Sequence, residues 1–252
     1  MEALDVEIST DLQAENIQGV IFVLPGNEQA DAPKIWERLF PGDAPDGYQR
    51  AKANTPTLIS SASGQRGNYT WTVNSQVGRI DIICQSSIQP QPGGPVPRIV
   101  DISDAAFTLC GMMKKLNQGT KIARLAMVFE LSKSVSPGTE GKELRKMLSV
   151  FPFPETVTDV SMQFNVRKHF VSSPATQMNR LCAWANGQLA FIGGPGMPFG
   201  APLPMIPFVG CKVDVNTAPE THPPEDKLEA ILDELVSEGL QICADGAARL
   251  LA

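Results

Sequence analysis

The chain has 252 residues, 42% of them hydrophobic, a mean hydropathy of −0.07 and a formal net charge of −6. That length suits one large domain or two ordinary ones, and the composition excludes a disordered chain. The acidic, alternating start Met1–Glu7 lacks the basic, then apolar, pattern of a secretory leader. Prolines 195, 198, 202, 204 and 207 break the longest apolar stretch, Leu189 to Val209, so no membrane helix is expected.

In chain order, Ile17–Leu24 is a β-branched run stopped by Pro25-Gly26, and so a strand. Asp31–Phe40 places Ile35, Trp36, Leu39 and Phe40 on one helical face, with Pro33 in the first turn and Pro41-Gly42 as a stop. Thr57–Ala62, Tyr69–Val73 and Val77–Gln85 read as a meander with tight connections at Gly64–Asn68 and Asn74–Gly78. Gln89–Pro97 reads as an extended linker, and Asp101–Gln118 as a helix capped by Asp101 or Ser103. A second series follows. Ile122–Leu131 is a strand, Gly141–Val150 a helix ended by Phe151-Pro152, and Val160–Val171 an alternating strand. Met178–Ala185 and Leu189–Ile192 flank Asn186-Gly187, a hairpin signal. Phe208–Val215 is a strand, and Pro223–Leu251 the longest helix, its apolar stripe expected to pack on the protein's own sheet, or else on a second subunit.

Both series run strand, helix, strands, helix. Phe40-Pro41 and Phe151-Pro152 lie 111 residues apart, Asn74 and Asn186 112, Trp71 and Trp184 113. The expected fold class is therefore α+β, an antiparallel or mixed sheet with helices on one side. An internal duplication would give a first half over 1–119 and a second over 120–252.

Charge is segregated: residues 1–50 sum to −7, 51–211 to +7 and 212–252 to −6. Such a pattern either folds acidic ends onto a basic middle or leaves an anion-binding face. Cys84, Cys110, Cys182, Cys211 and Cys243 are odd in number and widely spaced among apolar neighbours, as free thiols of a reducing compartment are. A cytoplasmic location is expected.

Motifs of catalysis are few. His169 and His222 have no nearby cysteine, so no zinc site is expected, and no cofactor signature is present. Gly193–Gly200 is rich in glycine, but its prolines delete the N–H donors that a phosphate cradle needs. Asp81 with Glu140-Gly141-Lys142 is a loose echo of a magnesium nuclease, which would need those residues adjacent.

The stretch Arg124-Leu125-Ala126, Glu140-Gly141 with Leu144 and Leu148, and Asp159–Arg167 resembles a block in sporadically distributed bacterial proteins of unknown function. The resemblance implies a bacterial origin and no particular activity. Within that block Gln163, Asn165 and Arg167 share one face of a strand, and Met162, Phe164 and Val166 the other. The candidate binding residues are thus Gln163, Asn165, Arg167, Lys168, Arg124, Arg145 and Lys146, on an anion-binding or an ordinary solvated face. The leading functional expectation is a non-enzymatic interaction or scaffold subunit of a bacterial multi-protein system, for defence or stress, with a protein partner or homodimer. The alternatives are a nucleic-acid-binding subunit using the basic middle, and a cryptic hydrolase or nuclease without a readable motif.

Overall fold

The computed structural model describes residues 12–24, 31–51, 58–88, 97–117, 120–190 and 205–251, with backbone only at 189 and 190. The expectations for residues 1–7, Pro25-Gly26, most of the 89–97 linker and the 193–200 loop lie outside these. Among the described residues nine strands form one sheet in the order β2-β3-β4-β5-β1-β6-β9-β8-β7. They are β1 (Gln13–Val23), β2 (Gly47–Arg50), β3 (Leu58–Arg66), β4 (Tyr69–Gln76), β5 (Arg79–Ser86), β6 (Ile122–Ser134), β7 (Ser161–His169), β8 (Gln177–Ala190) and β9 (Met205–Thr217). Every pairing is antiparallel. The helices are α1 (Ala32–Leu39), α2 (Ile102–Asn117), α3 (Glu140–Met147), α4 (Leu228–Asp245) and α5 (Ala247–Leu251). This is an α+β fold dominated by its sheet.

Local chemistry sets the helix ends. Asp31 caps α1 through its side chain, and the Ser60 hydroxyl accepts a second bond from the Ala32 N–H at 2.9 Å. Asp101 caps α2, accepting the Asp104 N–H at 2.8 Å. Strand turns at Gly67 and Gly78 both have positive φ, so β4 continues past Asn74 to Gln76.

The helices share one face of the sheet. Trp36 of α1 lies against Gly64 of β3, with ring carbons 3.0 Å from where a Cβ would stand. Leu109 and Met113 of α2 cover Gly19 of β1, where a Cβ would sit 2.5 Å from the Met113 sulfur. Gly239 brings α4 down onto Phe129 and Val215. Near α3, Phe151 stacks on Phe164 at 4.9 Å, and Phe164 in turn meets Trp184. The core is the layer between: Ile17, Ile82, Met127, Phe129, Trp71, Trp184 and Val213, all essentially inaccessible, against Leu109, Met113, Ile231 and Leu235. The α4 stripe accordingly packs on the protein's own sheet and on α2.

The order about the β1–β6 seam is symmetrical: β5, β4 and β3 follow outward on one flank, β9, β8 and β7 on the other. Trp71 lies on β4 beside Cys84 of β5, and Trp184 on β8 beside Cys211 of β9. Phe40 follows α1, and Phe151 lies shortly beyond α3.

Two expectations are corrected, and one strand has no predicted counterpart. Asn186-Gly187 is no turn: β8 runs straight through it. Asn186 instead binds Val160, its side-chain carbonyl accepting the Val160 N–H at 2.7 Å, and Gly187 admits the Phe208 ring, 3.0 Å from where a Cβ would be. Pro223–Leu251 is not one helix, because Gly246 (φ 62°) ends α4 and a separate α5 begins. Strand β2 has no counterpart among the predicted elements; its residues Gly47, Tyr48, Gln49 and Arg50 carry little apolar signal, and it is placed by pairing with β3.

Candidate functional site

Because side chains alternate along a strand, the second face of the sheet can be read from the ladder. Across it run Asn74, Asp81, Val20, Ala126, Asn216, Asn179 and Arg167, one from each successive strand. All described helices pack on the opposite face, so this polar face is the candidate site.

Its centre is aromatic and cationic. Phe22 lies directly between Arg79 of β5 and Arg124 of β6, each guanidinium carbon 5.3 Å from the ring centroid. Arg79 Nε also donates to Asp81 at 2.7 Å, and Gln76 donates to the other Asp81 oxygen. Asp81 is buried, so these bonds offset its desolvation.

From Arg124 a polar chain crosses four strands. Arg124 Nη2 donates to Asn216 Oδ1 at 2.6 Å, and Asn179 Nδ2 donates to the same oxygen at 2.9 Å. Asn216 donates onward to Asp214 at 2.7 Å, and Asn165 reaches Asn179 at 3.5 Å. Asn179 and Asn216 are buried, whereas Asn165 is exposed at the sheet edge. Arg124 Nε is buried with no hydrogen-bond partner among the described residues. Beside this chain Arg167 donates to Glu220 at 3.1 Å. Glu220 is held below the usual carboxylate range by a backbone hydrogen bond first and by Arg167 second, with Arg124 adding its field.

Further along the face, Glu130 accepts from Asn16 and Lys212, both at 2.7 Å. Burial raises its pKa, but these two bonds and the Lys212 charge outweigh it, and the group is lowered. A trough of about 240 Å³ opens here, floored by Ala183, Ala185 and Gly210 and walled by Glu15, Glu130, Phe208 and Lys212. The register sets Gln163 beside Ala183, at its rim.

The seven sequence-predicted residues therefore divide. Gln163, Asn165, Arg167 and Arg124 share the polar face. Lys168 does not: on β7 it points to the helix layer and pairs with Glu238 of α4. Arg145 and Lys146 lie on α3, paired with Glu155 at 3.7 Å and Glu143 at 2.7 Å. Lys114 pairs with Asp233 at 2.6 Å and Arg98 with Glu15 at 2.8 Å. The cations of the middle are thus spread over both faces, and acidic side chains from the two ends meet them. Asp81 lies on the polar face and Glu140–Lys142 open α3 on the other, so the nuclease-like pair is not assembled.

Sequence reasoning missed Phe22, Arg79, Asn179, Asn216 and Asp214. Alternation marks only Asp214 and Asn216, which with Lys212 hold every second position at the end of β9; Phe22, Arg79 and Asn179 carry no such sustained pattern. It also missed Arg180, a buried guanidinium whose Nη1 bonds Glu238 at 3.0 Å, with Arg249 adding a third cation at 2.9 Å. Burial raises the Glu238 pKa, but the bonds from Lys168, Arg180 and Arg249 win and lower it.

A second cavity, about 410 Å³, lies between the end of α2 and the start of α4, lined by Lys114, Asn117, Lys121, Glu225 and Glu229. Both polar atoms of the Asn117 amide are buried there with no hydrogen-bond partner among the described residues. Among the described residues no three His, Cys, Asp or Glu side chains converge as metal ligands, and no helix is long and apolar enough to cross a membrane. No family model matches the chain, and no curated protein or solved structure matches it either.

Proposed function

We propose that this protein is a non-enzymatic interaction subunit that presents the polar face of its sheet to a protein partner in a bacterial multi-protein system. The observation that carries the reading is the convergence of Arg124, Asn165 and Arg167 with Asn179, Asn216 and Glu220 on the face opposite the helices. Mixed donors and acceptors over a sheet suit a polar protein surface better than a polyanion, since each cation has an acid or amide beside it. The five free thiols, all buried, favour a reducing compartment, and we place the protein in the cytoplasm.

The same reading treats the chain as two copies of one unit, residues 1–119 and 120–252. The mirrored strand order and the matched Trp71–Cys84 and Trp184–Cys211 neighbours support this. In that scheme Arg79 and Arg124 meet at the junction of the copies.

Affinity isolation of the tagged protein tests the reading. A protein recovered in stoichiometric amount with the wild type should be lost from the folded double variant Arg124→Glu/Arg167→Glu. It should be retained by Lys115→Glu, whose exposed side chain lies on α2. Equal recovery by all three proteins would refute a role for the polar face.

A further inference from the structure

The two edges of the sheet are unlike. β2 is four residues long, a short edge of the kind that discourages pairing, whereas β7 runs for nine residues without proline or bulge. The hydrogen-bond phase of β7 follows from its two ends. Asn186 N–H donates to Val160 C=O at 3.2 Å, and Phe170 N–H donates to Thr176 C=O at 3.1 Å. Both belong to the even-numbered positions of one antiparallel register, so the even residues of β7 direct both backbone groups to β8. The odd residues, from Ser161 to His169, direct theirs outward. These same residues are solvent-exposed, and no described element pairs with them.

We propose that β7 pairs antiparallel with β7 of a second copy, about a two-fold axis at Asn165, to give a continuous eighteen-stranded sheet of roughly twice this width. The strand is complementary to itself in that arrangement. Asn165 faces Asn165 of the second copy, Gln163 faces Arg167, and Ser161 faces His169. The intervening pairs set Phe164 against Val166, covering two half-buried apolar side chains that now border solvent. Charge selects the direction. The strand ends in Arg167, Lys168 and His169, and the exposed Asp159 precedes it. An antiparallel copy brings each basic end beside the other's Asp159, while a parallel copy would stack the basic ends. The outward odd positions supply roughly ten backbone hydrogen bonds across the axis. The pairing stands on backbone phase and charge, independently of any partner for the polar face.

Sedimentation equilibrium of the full chain, over a concentration series reaching about 100 μM, tests the pairing. The wild type should dimerise. Asn165→Pro removes an outward N–H that β8 does not use, so it should be monomeric with an unchanged circular dichroism spectrum. Gln163→Glu provides a second, milder arm. By symmetry it sets two new carboxylates against the two Arg167 side chains and should tighten the dimer roughly three- to tenfold, whereas Gln163→Arg should loosen it similarly. A wild type that stays monomeric throughout overturns the proposal, leaving the edge to an extended segment of another protein. A dimer unmoved by the Gln163 substitutions overturns it as well.

Discussion

Replacing Glu238 by glutamine should remove the one anion that holds three cations together. Its carboxylate is 4% exposed and accepts from Lys168, Arg180 and Arg249. Lys168 and Arg249 keep about a third of their side-chain surface in water and can turn outward, so their loss counts for little. Arg180 is 8% exposed and cannot. Without the carboxylate charge it keeps neutral acceptors alone: the amide oxygen of the new glutamine, the Val166 carbonyl at 3.3 Å and the Arg249 carbonyl at 3.4 Å. Leaving a buried charge without its counter-charge costs about 3–5 kcal/mol, and the remaining neutral acceptors place Glu238→Gln near the lower end, about 3 kcal/mol. The sign of the pH dependence follows from the lowered carboxyl. Its contribution is fully present above the unfolded value of 4.5 and is lost as pH falls through the still lower folded value. Urea unfolding should therefore show a wide stability gap between wild type and Glu238→Gln at pH 7, narrowing steadily below about pH 4.5. A gap under about 1 kcal/mol at pH 7, or one unchanged at pH 3, would refute the reasoning.

Two glycines on helices should respond with opposite sign. Gly239→Ala drives a methyl into the Phe129 ring and to 3.1 Å from Val215, and should cost about 1–3 kcal/mol by overpacking. Gly111→Ala on α2 meets nothing within 4 Å and should stabilise by about 0.5–1 kcal/mol through helix propensity alone. Thermal melts of both would decide; a neutral Gly239→Ala would contradict the close crossing of α4 over β6. The five thiols should be silent toward a disulfide reagent in the native state and all react on unfolding. Burial pushes Cys84, Cys110 and Cys182 up to about 12, and Cys211 and Cys243 well above their ordinary value. A rapid native reaction of even one would show that the sheet–helix layer opens there.

The sequence by itself determined what depends on near neighbours. The alternation of Met162, Phe164 and Val166 with Gln163, Asn165 and Arg167 assigned each to its face, because a strand's period of two admits only two choices. Asp101 and the Phe40-Pro41 stop marked helix ends for equally local reasons. Tertiary structure decided the rest. Asn186-Gly187 has the chemistry of a turn, yet Val160 and Phe208, distant in the chain, hold it extended inside β8. Lys168 and Arg167 are adjacent in sequence, but the pleat sends one to Glu238 in the helix layer and the other to Glu220. Arg124 finds Asn216 across 92 residues, a partnership fixed only when β9 docks beside β6. A polar site assembled from single side chains of several strands leaves no spacing to read, since strand order, not sequence distance, makes its residues neighbours.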